Sequence, residues 1–179
     1  MQNSTVSLFI PFKNTQEYLP ACLDSILAQT YPYWEVLAVD DYSEDKSRKV
    51  LEAYAKKDNR IKVYPNSGNG IIPALQTAYA QSSGDLVSRM DSDDIMKPNR
   101  LEVMAESLGS HGRGHVAVGQ VQYFSHRGIS DGYARYETWL NALTANGNNY
   151  NEIYKECVIP SPCWMVHRDD FELSDAFRP

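Results

Sequence analysis

The sequence has no long run of apolar residues. No window approaches the ~20 needed for a membrane-spanning helix. Met1 to Phe12 has neither the basic start nor the apolar stretch of a secretion signal. Basic residues are outnumbered: 17 Lys and Arg against 23 Asp and Glu give a net charge of −6. That balance excludes a broad nucleic-acid surface, which needs clustered Lys and Arg. It suits a protein that recruits cations through carboxylates. Cysteine is rare. Cys22, Cys157 and Cys163 form an odd set with no Cys-x-x-Cys pair and no zinc spacing. They are read as reduced thiols of a cytoplasmic protein. Neither a Gly-x-Gly-x-x-Gly run nor a P-loop occurs.

At 179 residues and 42% hydrophobic content, the chain fits one domain with a real core. Val6 to Ile10, Trp34 to Val39, Ile61 to Tyr64 and Leu86 to Met90 are short apolar runs of the kind found in buried parallel strands. Each precedes a segment of helical periodicity. In the first, Leu19, Cys22, Leu23, Ile26 and Leu27 share a face, with Asn14 or Thr15 as cap and Tyr31-Pro32 as terminator. The second helix is marked by Val50, Leu51, Tyr54 and Ala55, and the third spans about Pro73 to Gln81 with Gly84 as its ending glycine. The fourth runs from Pro98 to about Gly109. Four strand–helix units predict a parallel sheet with helices on both faces. Beyond Gly109 the pattern predicts a strand over Val116 to Phe124. A helix over Asp131 to Leu143 follows, with Tyr133, Tyr136, Trp139, Leu140 and Leu143 on one face, and then a strand over Cys163 to His167.

Two acidic clusters, Asp40-Asp41 and Asp91-Ser92-Asp93-Asp94, fall just past strand C-terminal ends. Ligands of open α/β sheets bind in the crevice outside those ends. Three acids in four residues repel one another unless a cation or a set of donors compensates. Asp91 and Asp93 project to one side of extended backbone, and such carboxylates suit Mg²⁺ or Mn²⁺. The competing reading is a solvated acidic loop that caps the next helix. The loop Asn66 to Gly70 is read as a turn whose glycines leave room for a phosphate or sugar. His111 and His115 have the spacing of a metal pair, but Gly112 and Gly114 between them argue against a shared helix. Trp139 and Trp164 suit either sugar stacking or core packing.

Val6 to Asn14, Leu19 to Tyr31, Val39 to Asp45, Arg89 to Ile95 and Pro98 to Leu101, in this order and spacing, resemble the family 2 glycosyltransferases of the GT-A fold. The match covers residues 6 to about 105 and continues less strictly through Pro160 to Met165 and Arg168. The resemblance implies a GT-A, Rossmann-like, mainly parallel α/β sheet with helices on both faces. Residues 1–179 would then be a single glycosyltransferase domain. Its nucleotide-sugar-binding half would be 1–110, and the start of an acceptor-binding half 111–179.

The resemblance further implies a nucleotide-sugar donor, usually a UDP-sugar, a divalent cation (Mn²⁺ or Mg²⁺) and a glycan or lipid-linked acceptor. Transfer would proceed with inversion, as in polysaccharide and cell-envelope biosynthesis. Pro11 and Phe12 match positions that wall the base, and Asp40 matches the acid at the uracil edge. Asp93 matches the metal ligand and Asp91 a ribose or metal contact. Asp94 is a second metal candidate, because the run of acids leaves the register open. Arg89 and Ser92 complete the nucleotide-binding set, Arg89 toward the diphosphate. The family continues through a Gly-Gly-aromatic turn to an acidic pair that holds the catalytic base. Here the chain reads Ala176-Phe177-Arg178-Pro179, so the base is expected beyond Pro179 in a longer protein, with Asp169, Asp170 and Asp175 as alternatives. A peripheral contact at the inner face of the membrane, made by residues beyond 179, is compatible with this reading. Two other classes compete. A sugar-phosphate nucleotidyltransferase would need a glycine-rich loop where Pro11-Phe12-Lys13-Asn14 stands. A receiver-type phospho-switch would carry its acidic pair after the first strand rather than the second.

Overall fold

A computed structural model of the chain describes residues 4–176. Its strands are β1 (Val6–Phe12), β2 (Trp34–Asp40), β3 (Ile61–Pro65), β4 (Leu86–Arg89), β5 (Val116–Val118) and β6 (Trp164–His167). Its helices are α1 (Leu19–Leu27), α2 (Ser47–Ala55), α3 (Ile71–Gln81), α4 (Arg100–His111), α5 (Asp131–Ala145) and α6 (Arg168–Leu173). They build one six-stranded sheet in the order β3-β2-β1-β4-β6-β5. The first four strands are mutually parallel, and β6 runs antiparallel to both β4 and β5. This is the predicted α/β class. The all-parallel order expected of a receiver domain is excluded.

Three of the apolar runs become the central strands β1, β2 and β4 because both of their faces are covered, whereas β3 is a partly exposed edge strand. On one face Val6, Leu8, Ile10 and Phe12 of β1 and Trp34, Val36 and Ala38 of β2 pack with Leu23 and Ile26 of α1, Leu51 of α2 and Leu101 and Leu108 of α4. The alternate residues Phe9, Leu37 and Val39 face the other way, onto Ala74, Leu75 and Ala78 of α3 and Phe171 of α6. The period-two alternation of strand side chains thus feeds two cores.

Several boundaries move. Helix α1 begins at Leu19 behind Tyr18 and has no side-chain cap. Asn14 and Thr15 lie outside it, and the helix ends well before Tyr31-Pro32, which lead into β2. Pro98 precedes α4 rather than opening it. Strand β5 is three residues long, not nine. The segment after Val118 leaves the sheet because side chains of α5 take its backbone groups. Asn141 bonds both the N–H and the C=O of Val121, and Glu137 accepts from the N–H of Tyr123. Of the apolar face expected on α5, Leu140 is buried, whereas Tyr133 is 59% exposed.

Gly84 does not end α3, whose C-cap is Ser82 in extended backbone. A Cβ at Gly84 would stand 2.5 Å from the Thr5 carbonyl oxygen and 2.7 Å from Ser7 Oγ. Its role is close backbone approach, and it belongs to a network at the foot of the sheet, the N-terminal end of the parallel strands. Buried Glu35 of β2 accepts there from Ser7 Oγ, from the N–H and hydroxyl of Ser83, and from Lys62 Nζ. Ser7 Oγ in turn accepts from the N–H of Gly84. Burial alone would push the Glu35 carboxyl up; Lys62, the Ser83 N–H and the two hydroxyls outweigh it and hold the group down at about 2.

Candidate functional site

The opposite end of the sheet, where β1, β2 and β4 terminate, carries the acidic residues. The strand ends are stapled in a staggered row. Asp41 N–H donates to Phe12 O, Asn66 N–H to Asp40 O, and Met90 N–H to Phe9 O. Because β6 is antiparallel, its first residue, Trp164, also lies at this end, opposite Val118 of β5. Asp40, Asp41 and the turn Asp91–Asp94 therefore stand at one end of the sheet, on either side of β1, where open α/β sheets have their ligand crevice.

The two acids after β2 have different duties. Asp40 is buried. Its Oδ1 accepts from the N–H of Ser43, and its Oδ2 lies 3.6 Å from Arg48. Asp41, also buried, accepts from Asn66 Nδ2 and the Gly70 N–H and faces Lys13 at 3.6 Å. The Gly70 N–H, with help from Asn66 and Lys13, holds the Asp41 carboxyl below the usual range against partial burial. Asn66 to Gly70 is thus a tied turn. Gly70 adopts φ 92, a conformation that glycine takes without strain.

The turn after β4 is less balanced. Arg89 Nε and Nη2 both reach Asp91 Oδ1, at 2.8 and 2.7 Å, so one oxygen of Asp91 is engaged and Arg89 is not directed at open space. Ser92 is buried and Asp93 is exposed. Burial, then the neighbouring Asp91 and Asp93, raise the Asp94 carboxyl to about 6, with Arg100 and Arg89 opposing. Cys22 of α1 lies beneath this turn, its Sγ 3.6 Å from the Asp91 carbonyl oxygen. Burial and the same acids push its thiol up to about 12, so it is a packed, protonated side chain.

Pro11 is half-buried, and Phe12 is buried in the core, 2% exposed, rather than lining open space. Asp169 and Asp170 stand on α6, which starts at the foot of the sheet, since Arg168 N–H bonds to Asp85 O just before β4. Both acids pair there with Arg113, and Asp170 also accepts from the Gly114 N–H. The fold does not bring them to the crevice. Asp175 follows α6 with φ 55 and is exposed. Residues 177–179, where the expected family continuation is approached, lie outside the described residues.

Arg100, at the start of α4, was missed as a site-supporting residue in the sequence. It is half-buried behind the acidic turn, bonded to Ser88 Oγ at 3.2 Å and to the Pro162 carbonyl. Its sequence signal was its place in Pro98-Asn99-Arg100-Leu101, just past the acids. A second missed feature is the lacing of two loops. The N–H groups of Asn14, Thr15 and Gln16 donate to Ser43 Oγ, Ser47 Oγ and Asp45 Oδ2. In return, Asn14 Oδ1 and Gln16 Oε1 accept from the N–H groups of Glu44 and Lys46.

Among the described residues no three His, Cys, Asp or Glu side chains converge as a metal cage. A site of one or two carboxylates completed by waters and ligand phosphates is the usual arrangement for Mg²⁺. The mutually repelling Asp91, Asp93 and Asp94 fit that donor set. The three cysteines are free. No helix of the described residues is long and apolar enough to cross a membrane.

The family model for glycosyl transferase family 2 matches residues 7–173. A similar curated protein is the UDP-Glc:alpha-D-GlcNAc-diphosphoundecaprenol beta-1,3-glucosyltransferase WfgD of Escherichia coli, 31% identical over 195 residues. The match covers 97% of this chain and 69% of that protein. Other curated relatives, also glycosyltransferases, match over 104–109 residues, and the chain spans 32–41% of their length. Among solved structures, TarS 1-349 of S. aureus in complex with UDP-GlcNAc superposes with a TM-score of 0.71 at 22% identity, over 98% of this chain and 48% of that one. The mannosyltransferase PcManGT of Pyrobaculum calidifontis, in complex with GDP-Man and Mn²⁺, gives 0.72 at 20% identity over 96% and 47%. At these identities the two structures speak for the fold.

Proposed function

The chain belongs to glycosyl transferase family 2, and from that premise we propose that its crevice binds a nucleoside-diphosphate sugar, with UDP-sugar the preferred class. The sugar passes with inversion to a hydroxyl of a glycan or lipid-linked acceptor, and the reaction depends on a divalent cation. Residues 1–110 form the donor half, and 111–179 begin the acceptor half. The observation that carries the reading is that Asp40 and Asp41 after β2 and the acidic turn Asp91–Asp94 after β4 stand at the same end of the sheet, on either side of β1, where the Asp94 carboxyl is raised to about 6 by burial and like charge. Carboxylates held in mutual repulsion call for a cation. The named activity of WfgD and the UDP-GlcNAc and Mn²⁺ of the solved neighbours support the same reading.

Mg²⁺ or Mn²⁺ held by Asp93, with Asp91 or Asp94, would supply Lewis-acid stabilisation of the leaving diphosphate. The chain's own residues do the rest. Asp40, fixed by Ser43 and Arg48, offers its carboxylate edge to the base. Pro11 supports the base plane, and Ser92 lies in the acidic turn beside the nucleotide. Arg89 holds one oxygen of Asp91 and so fixes the orientation of that carboxylate beside the diphosphate. The neutral Cys22 thiol below adds no charge to an already acidic floor. The acceptor hydroxyl attacks the anomeric carbon as the sugar–phosphate bond breaks, and general-base help typically contributes ~10²–10⁴-fold in rate.

Calorimetric titration of UDP into the protein with Mn²⁺, and again with EDTA, tests this reading. UDP should bind only when the cation is present, because diphosphate is otherwise repelled by three carboxylates. Equal affinity in both titrations overturns the cation-bridged site.

A further inference from the structure

Two non-glycine residues near the crevice adopt left-handed backbone, Asn14 at φ 54 and Tyr42 at φ 59. Asn14 is accounted for. Asn tolerates this region, and its side chain serves the local structure by accepting from Glu44. Tyr42 is not accounted for in that way. A bulky residue there is a true outlier, and the ring returns no compensation. It is 59% exposed and makes no side-chain hydrogen bond or ring contact among the described residues.

The strain is imposed by the frame on either side. Asp41 N–H is bound to Phe12 O, and the Asp41 carboxylate is held by Asn66 and Gly70. Ser43 N–H is bound to Asp40 Oδ1, and Ser43 Oγ accepts from Asn14. Tyr42 is the one residue between these two anchored neighbours, two positions past the end of β2. A strained residue held by an over-determined surround is the pattern of ligand sites.

We propose that Tyr42 is a binding residue of the donor site, its exposed ring at the crevice rim serving as a stacking surface for the planar base of the nucleotide. The inference rests on the nucleotide-sugar reading above and extends it. Asp40, two residues earlier, meets the edge of the same base, so edge and face would be read from one turn. An aromatic face is tolerant of base identity, because every base has a π-face. Tyr42 would therefore supply affinity, and Asp40 the choice of base.

The test compares the parent chain with Tyr42→Gly and Tyr42→Phe by thermal melting and by titration with UDP and with pyrophosphate, both in the presence of Mn²⁺. Glycine removes the ring and relieves the backbone. Tyr42→Gly should melt at the same temperature or higher while binding UDP about tenfold more weakly, within the range for one base on one ring. Its pyrophosphate affinity should be unchanged, and Tyr42→Phe should match the parent throughout. Parent-like UDP affinity in Tyr42→Gly overturns the proposal and leaves the nucleotide site standing. Loss of pyrophosphate binding as well shows a structural role, and loss in Tyr42→Phe points to the hydroxyl; either result overturns ring stacking. Failure of the parent itself to bind UDP removes both readings.

Discussion

Glu35 and Asp94 are carboxylates at opposite ends of one sheet, and they are treated in opposite ways. Glu35, at the foot, is buried among donors: Lys62 Nζ, two hydroxyls and a backbone N–H. Its carboxyl is driven down to about 2. Asp94, in the crevice, is surrounded by acids and driven up to about 6. The chain spends its hydrogen-bonding capacity where β1, β2 and the approach to β4 must be locked together. At the other end Arg48, Lys13 and Arg89 pair with Asp40, Asp41 and Asp91, but Asp93 and Asp94 have no ion pair among the described residues. Stability and function are divided between the two ends, and the same chemical change should therefore have opposite signs at each.

The largest effect is expected from breaking the foot sterically. Gly84→Ala forces a Cβ against backbone at Thr5 and Ser7 and should cost about 3 kcal/mol, the upper range for overpacking. Urea unfolding checks it; a loss below about 1 kcal/mol would mean that the foot yields more readily than its geometry suggests.

Next in size is Glu35→Gln, which removes the charge from a buried acceptor and should destabilise by about 2 kcal/mol through the weakened Lys62 and N–H bonds. The matching change in the crevice, Asp94→Asn, should stabilise the free protein by about 0.5–1 kcal/mol once solvent screening is allowed for, while weakening cation-dependent UDP binding. Equal signs for the two amide substitutions would erase the contrast between the ends.

The smallest effect is in the pH profile of stability. The Asp94 carboxyl is raised in the folded protein, so the folded state holds the extra proton between its unfolded value near 4 and about 6. Its contribution therefore improves as pH falls through 6. The Glu35 carboxyl is lowered from the ordinary 4.5, so its stabilisation is complete above 4.5 and is lost as pH falls below that toward 2. Melting temperature against pH should show a shallow rise below pH 6 and a fall below about 4.5. The rise should vanish in Asp94→Asn and the fall should lessen in Glu35→Gln.

The parts that local pattern could reveal were legible in the sequence. β1 and β2 are apolar on both faces because both faces are covered. Asp40 and Asp91 stand at strand ends, where a turn must follow and a crevice forms. The missed features depend on partners distant in the chain. Glu35 finds Ser83 at 48 residues' remove, and Gly84 is pressed on Ser7 across 77. No window contains either pair. The sequence overextends β5 because Val121 and Tyr123 keep an apolar alternation after the backbone has left the sheet for Asn141 and Glu137. The acidic turn is visible as composition, but Arg89 folding back onto Asp91, and Arg100 standing behind it, depend on side-chain directions that composition does not carry. Nor does it carry the burial of Phe12 or the placement of Asp169 and Asp170 at the foot.

The lacing of residues 14–16 to 43–47 bears on how the domain can be recombined. Backbone N–H groups on each side are satisfied by side chains from the other, so each loop carries half of a shared pattern. A graft that brings in one loop from a relative leaves donors of the other without acceptors, even when both parents are sound. The natural unit of exchange is the pair. A chimera that takes β1 with its loop should also take β2 with its own, and the seam belongs after Ser47, inside the first turn of α2.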